Sequence, residues 1–104
     1  MEDKQIQRPN IQVKIDEKDA EGIYSNFFVI AHSSAEFLVD FGRLLPGLKN
    51  AKILSRIILS PIHALRLKKL LEDNISNFEK KFGKIHIDEK SGDKSMGFNV
   101  DRGD

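Results

Sequence analysis

Ser33–Gly47, SSAEFLVDFGRLLPG, admits two readings, and the fold turns on which one holds. As a helix, Ser33 and Glu36 have capping-box spacing, and Phe37, Leu38, Phe41, Leu44 and Leu45 recur at helical intervals. As a strand, Phe37, Val39 and Phe41 alternate with Leu38 and Asp40, and Gly42 followed by Pro46-Gly47 punctuates the end. Gly42 would weaken a helix by about 1 kcal/mol relative to alanine, and His32–Ala35 has the length of a hairpin loop. The strand reading is preferred.

The chain on both sides of this stretch is rich in strand signals. Upstream, Ile11, Val13 and Ile15 alternate with Gln12, Lys14 and Asp16, the pattern of a half-buried strand, and EKDAEG supplies a turn. IYSNFFVIAHS follows as a second strand whose two alternating sets are both apolar: Phe27, Val29 and Ala31 against Tyr24, Phe28 and Ile30. Beyond Gly47, AKILSRIILS reads as a fourth strand, again apolar on both sides, with Ile53, Ile57 and Leu59 against Leu54 and Ile58.

A helix comes next. Ser60 suits the N-cap, Pro61 the first helical position and Gly83 the C-terminal stop. Between them Ala64, Leu67, Leu71, Ile75, Phe78 and Phe82 repeat every three or four residues and draw one apolar stripe. KIHIDEK could add a short edge strand, and the polar stretch after it reads as a tail.

These elements predict an α+β fold: an antiparallel four-stranded β-meander followed by one long C-terminal helix packed on one face. The expected organisation is a flexible N-terminus over 1–9, a single α+β domain over 10–87 and a flexible polar tail over 88–104. One helix covers one face of such a sheet, whereas strands two and four are apolar on both. Phe27, Val29, Leu54 and Ile58 are therefore expected in an oligomer interface, since each would forgo about 1.5–3 kcal/mol if left in water. A domain of this size buries only about 60–65% of its unfolded surface, so added burial matters to it.

Composition narrows the classes without choosing a chemistry. With 104 residues and no cysteine, disulfides, thiolate metal sites and cysteine nucleophiles are excluded. The N-terminus lacks an apolar targeting core, and no run approaches the roughly 18 apolar residues of a membrane span, so a cytoplasmic protein without membrane contact is expected. Net charge is +1, unevenly spread: residues 10–50 carry four basic and six acidic side chains, residues 51–84 eight and three. The basic segment offers Arg56, Arg66, Lys68, Lys69, Lys80 and Lys81 as an alternative nucleic-acid surface. No helix-turn-helix, ribonucleoprotein or zinc-finger pattern accompanies them.

Phosphate-loop, dinucleotide, nucleophile-elbow and zinc-protease motifs are all missing from the sequence. His32, His63 and His86 have no ligand spacing. Glu36 near the hairpin reads as solvated. Asp40, inside an apolar strand, needs a partner, and Arg43 or Arg56 could form a structural ion pair with it. Asn74-Ile75-Ser76 and Arg102-Gly103-Asp104 match short motifs by chance. No catalytic residue, metal or cofactor is expected.

AEGIYSN over Ala20–Asn26, the Ala31-His32-Ser33 step, Glu36-Phe37 leading to Asp40-Phe41, and Leu45-Pro46-Gly47 form a recognisable set. Ser55-Arg56-Ile57 and Ser60-Pro61-Ile62-His63-Ala64 complete it. With these pieces the chain resembles the bacterial and archaeal family called domain of unknown function 3467, over about Ala20–Ile85. The resemblance implies a small accessory protein with no catalytic residues to carry over, associated with transcription genes. The expected function is a non-enzymatic homo-oligomeric protein-interaction module, its partners being itself and a protein such as RNA polymerase.

Overall fold

Phe37–Arg43, the core of the ambiguous stretch, is a strand in the computed structural model, which describes residues 10–87 and 98–101. The elements run α1 (Glu17–Ala20), β1 (Phe27–His32), β2 (Phe37–Arg43), β3 (Lys52–Leu59), α2 (Pro61–Phe82) and β4 (Phe98–Asp101). The Ser33 amide donates to the Glu36 carbonyl at 3.0 Å and Ser33 Oγ accepts from the Ala35 amide at 3.2 Å. Those bonds close a β1–β2 hairpin. The serine and glutamate that looked like a helix cap serve a turn.

The sheet order is β3-β2-β1-β4, with β1–β2 and β2–β3 antiparallel and β1–β4 parallel. The sheet is therefore four-stranded and mixed rather than an antiparallel meander. Its antiparallel part has three strands. The expected first strand at Ile11–Asp16 does not form, and Ile11, Val13 and Ile15 are exposed. The side of β1 on which that strand was expected is occupied over Val29–His32 by β4. That strand comes from the stretch expected as a flexible tail, the rest of which, like residues 1–9, lies outside the described residues. Lys84–Ile87, the described part of the expected edge strand KIHIDEK, is not a strand either.

Tyr24–Asn26, expected inside the second strand, lies before β1 and is held to the end of β2 by side chains. Asn26 Nδ2 donates to the Leu44 carbonyl at 3.1 Å while the Leu44 amide donates to Asn26 Oδ1 at 2.9 Å, so one side chain copies a backbone ladder rung. Ser25 Oγ donates to the Gly42 carbonyl at 2.8 Å, and the Arg43 guanidinium donates to the Tyr24 carbonyl at 3.2 Å.

The β2–β3 register shifts between Phe41 and Gly42: Phe41 opposes Ser55, Gly42 opposes Ile53, and Leu54 is the extra residue. The bulge draws backbone close to Gly42, where a Cβ would stand 2.6 Å from the Lys52 carbonyl oxygen and 3.0 Å from Ile53 Cδ1. Gly42→Ala is thus expected to displace β3 and destabilise the fold by about 1–3 kcal/mol in chemical denaturation. An unchanged midpoint would mean that the bulge gives way freely.

Helix α2 has the ends its sequence predicts. Ser60 Oγ accepts from the His63 amide, Pro61 fills the first turn, and Gly83 takes φ +98° as its amide donates to the Glu79 carbonyl. Lys80 and Lys81 in the last turn suit the negative end of the helix dipole. The expected packing of α2 on the sheet is not observed. No residue of α2 is buried, and the strand it approaches is β3, which it follows directly in the chain. A radius of gyration of 17.4 Å, against about 13 Å for a compact chain of this length, reflects the same openness.

Candidate functional site

Among the described residues one apolar side chain, Ala31, and one charged side chain, Asp40, are buried, so the features that remain to be explained are surfaces. The strand register sorts the sheet residues into two faces. On the first lie Phe28, Ile30, Phe37, Val39, Phe41, Ile57 and Leu59, with His32 and Ser55. Phe28 and Phe41 meet edge to face with centroids 5.9 Å apart, and His32 stacks on Phe37 at 5.4 Å. The second face carries Phe27, Val29, Ala31, Leu38, Asp40, Arg56 and Ile58.

Of the four expected interface residues, Phe27, Val29 and Ile58 share this second face, and Leu54 sits at the bulge. Ile58 is 60% exposed, while Phe27, Val29 and Leu54 are half-buried within the chain. The larger exposed surface is one the sequence reading had assigned to packing: Leu67, Leu71, Ile75, Phe78 and Phe82 of α2 range from 40% to 66% exposed. At about 100° per residue they fall with Ala64 in one arc of roughly 80°. Phe78 and Phe82 place their rings 4.9 Å apart. The stripe itself was legible as period; what it fails to touch was not.

Asp40 and Arg56 are direct cross-strand partners, and the pair is bidentate: Nε to Oδ1 at 2.7 Å and Nη2 to Oδ2 at 2.9 Å. The Asp40 side chain is 8% exposed and that of Arg56 59%. Hydrogen bonds from the guanidinium hold the Asp40 carboxyl below its ordinary range, against burial, which pushes it up; the positive charge of Arg56 adds to the lowering. Arg56 is raised in turn, by its bonds to Asp40 and then by that carboxylate's charge. Arg43 takes no part in this pair. It stands an odd number of steps from Asp40 along β2, so it leaves the sheet on the other face and binds the Tyr24 carbonyl instead.

The six basic residues considered for nucleic acid do not make one surface. Arg66, Lys69 and Lys80 share the arc of α2 opposite the stripe, and Asp73 falls among them. Lys68 and Lys81 flank the stripe, with Lys81 Nζ 5.4 Å from the Phe82 ring centre, and Arg56 is engaged by Asp40 on the sheet. His63 Nδ1 lies 3.0 Å from Ser60 Oγ at the start of α2, and His32 is on the sheet face. Among the described residues, no three His, Cys, Asp or Glu side chains are grouped to hold a metal ion, and no helix is long and apolar enough to cross a membrane.

Fold and surfaces together define a small α+β protein with a mixed four-stranded sheet, a long helix beside it and an apolar surface left uncovered on both. The chain belongs to the family described as Protein of unknown function (DUF3467), whose model matches residues 1–87. No curated protein and no solved structure matches it.

Proposed function

We propose that this chain is a non-enzymatic, homo-oligomeric protein-interaction module. The observation that carries the reading is the uncovered stripe of α2, a helix of 22 residues without one buried side chain beside a sheet apolar on both faces. Leaving this much apolar surface in water removes the main favourable term in folding, and a chain of this length has little margin to lose. The partner that is always present when the chain is made is another copy of it, and closed symmetric assemblies are the usual outcome. A further protein partner, such as RNA polymerase, rests on the family resemblance alone and would meet whatever surface the assembly leaves open.

Light scattering across a concentration series, with and without a DNA fragment at two salt concentrations, tests this reading. The expected mass is that of a dimer or larger assembly, unchanged by DNA. A monomer at micromolar concentration that unfolds cooperatively would overturn it, and a monomer whose DNA affinity falls steeply with salt would move the function to the basic residues of α2.

A further inference from the structure

The stripe of α2 is not covered by the chain's own sheet: no residue of the helix is buried. At 1.5 Å per residue the helix is about 33 Å long, whereas four strands about 4.8 Å apart make a sheet roughly 19 Å wide. Along the strands only β3, the longest, with eight residues and about 27 Å, matches the roughly 27 Å from Ala64 to Phe82. Laid across the strands, the last turns of α2 would overhang, and those turns carry Phe78 and Phe82.

The stripe is also complementary to itself when reversed. Ala64, Leu67, Leu71, Ile75, Phe78 and Phe82 are spaced almost symmetrically about Asp73. An antiparallel copy related by a two-fold axis crossing the stripe at the level of Asp73 brings Ala64, the smallest member, against Phe82, the most exposed aromatic of the helix, and Leu71 against Ile75. Leu67 meets Phe78. Small against large at the ends and medium against medium in the middle is the volume matching that a packed helix pair needs.

The flanks add a charge argument. Lys68 and Glu79 lie on the same side of the stripe, and the two-fold places each beside the other's counterpart, forming two equivalent ion pairs. Glu79 accepts from the Ile85 amide through Oε2 at 2.9 Å, and a carboxylate has further lone pairs to offer a lysine. On the other flank Leu70 and Asn74 lie nearest the axis, with His63 and Lys81 towards the ends. A parallel pair would instead turn the Lys68 and Glu79 flank towards the other copy's Leu70 and Asn74 flank, so neither ion pair would form.

We propose that α2 pairs antiparallel with α2 of a second copy along this stripe, about a two-fold axis that crosses the stripe at the level of Asp73. The inference rests on the homo-oligomer reading and names the occupant of its main surface.

The absence of native cysteine makes the test direct. Lys68→Cys and Glu79→Cys are prepared separately and coexpressed, and each sample is treated with a short bismaleimide after its mass is measured by light scattering. In the antiparallel pair Lys68 is about 15 Å along the axis from its own counterpart but within one residue's rise of Glu79 of the other copy. The expected result is cross-linked dimer in the coexpressed sample and little in either variant alone, a difference of about tenfold or more. Cross-linking of each variant to itself would overturn the antiparallel pairing in favour of a parallel one. An intact assembly that cross-links in none of the samples would overturn the α2 interface and leave the homo-oligomer reading standing on the sheet faces. A monomer would overturn both, leaving the stripe to a different protein.

Discussion

Phe78→Asp is expected to disperse the assembly. Phe78 is 47% exposed in the single chain and belongs to the stripe, so a second helix laid along it would bury most of the ring. Losing an aromatic side chain from an apolar contact costs about 1.5–3 kcal/mol, and the two-fold makes the loss occur twice per dimer. At 1.4 kcal/mol per factor of ten, the dissociation constant should rise about 100- to 10,000-fold, before any cost of desolvating the new carboxylate. Light scattering and sedimentation should show monomer, together with a lower denaturation midpoint because folding and association share this surface. Lys69→Asp, on the opposite arc of the same helix, should leave the mass unaltered. If Phe78→Asp keeps the wild-type mass, the stripe is not the interface.

Arg56→Ala is expected to be the most damaging change within the sheet, and its effect should depend on pH with a definite sign. In the wild type the Asp40 carboxyl is depressed by the hydrogen bonds and charge of Arg56. A group with a folded value below its unfolded one, about 3.9 for aspartate, contributes stability that is present above the unfolded value and lost as pH falls through the folded one. Removing Arg56 takes away the depressing partner and leaves burial, which raises the carboxyl. The sign then reverses: Asp40 opposes folding at neutral pH and stops doing so as it is protonated. Denaturant midpoints of wild type and variant should therefore differ most near neutral pH and converge below about pH 4. Asp40→Asn should cost less at neutral pH than Arg56→Ala, because it leaves behind a half-exposed guanidinium that water can solvate, whereas Arg56→Ala leaves a buried carboxylate. A constant gap between the variants across pH would mean that Arg56 contributes packing and not charge.

What was legible in the sequence is what neighbouring residues settle among themselves. Ser60, Pro61 and Gly83 act within a turn of the helix they bound, and the observed span Pro61–Phe82 fits them residue for residue. Phe37–Arg43 is a strand because its apolar residues alternate, because Gly42 disfavours helix, and because a four-residue turn folds it back on β1. A partner for Asp40 was required by its apolar flanks, and Arg56 was one of two candidates. The choice between them was not local: it follows from a cross-strand register that sets Arg56 opposite Asp40 while parity turns Arg43 away.

Three features were decided only by tertiary structure. Phe98–Asp101 is four residues long and pairs parallel to a strand far back in the chain, so nothing in its own composition separates it from a polar tail. Ile11–Ile15 alternates as a strand should, yet alternation carries no information about which strand lies beside β1, a place taken by β4. The stripe of α2 announces that a partner surface exists without saying whose, because an amphipathic period records which side of a helix avoids water and not what excludes the water. The amino-acid order by itself determined the helix, the hairpin and the need for burial. Where that burial occurs depends on distances between elements, which local spacing does not encode.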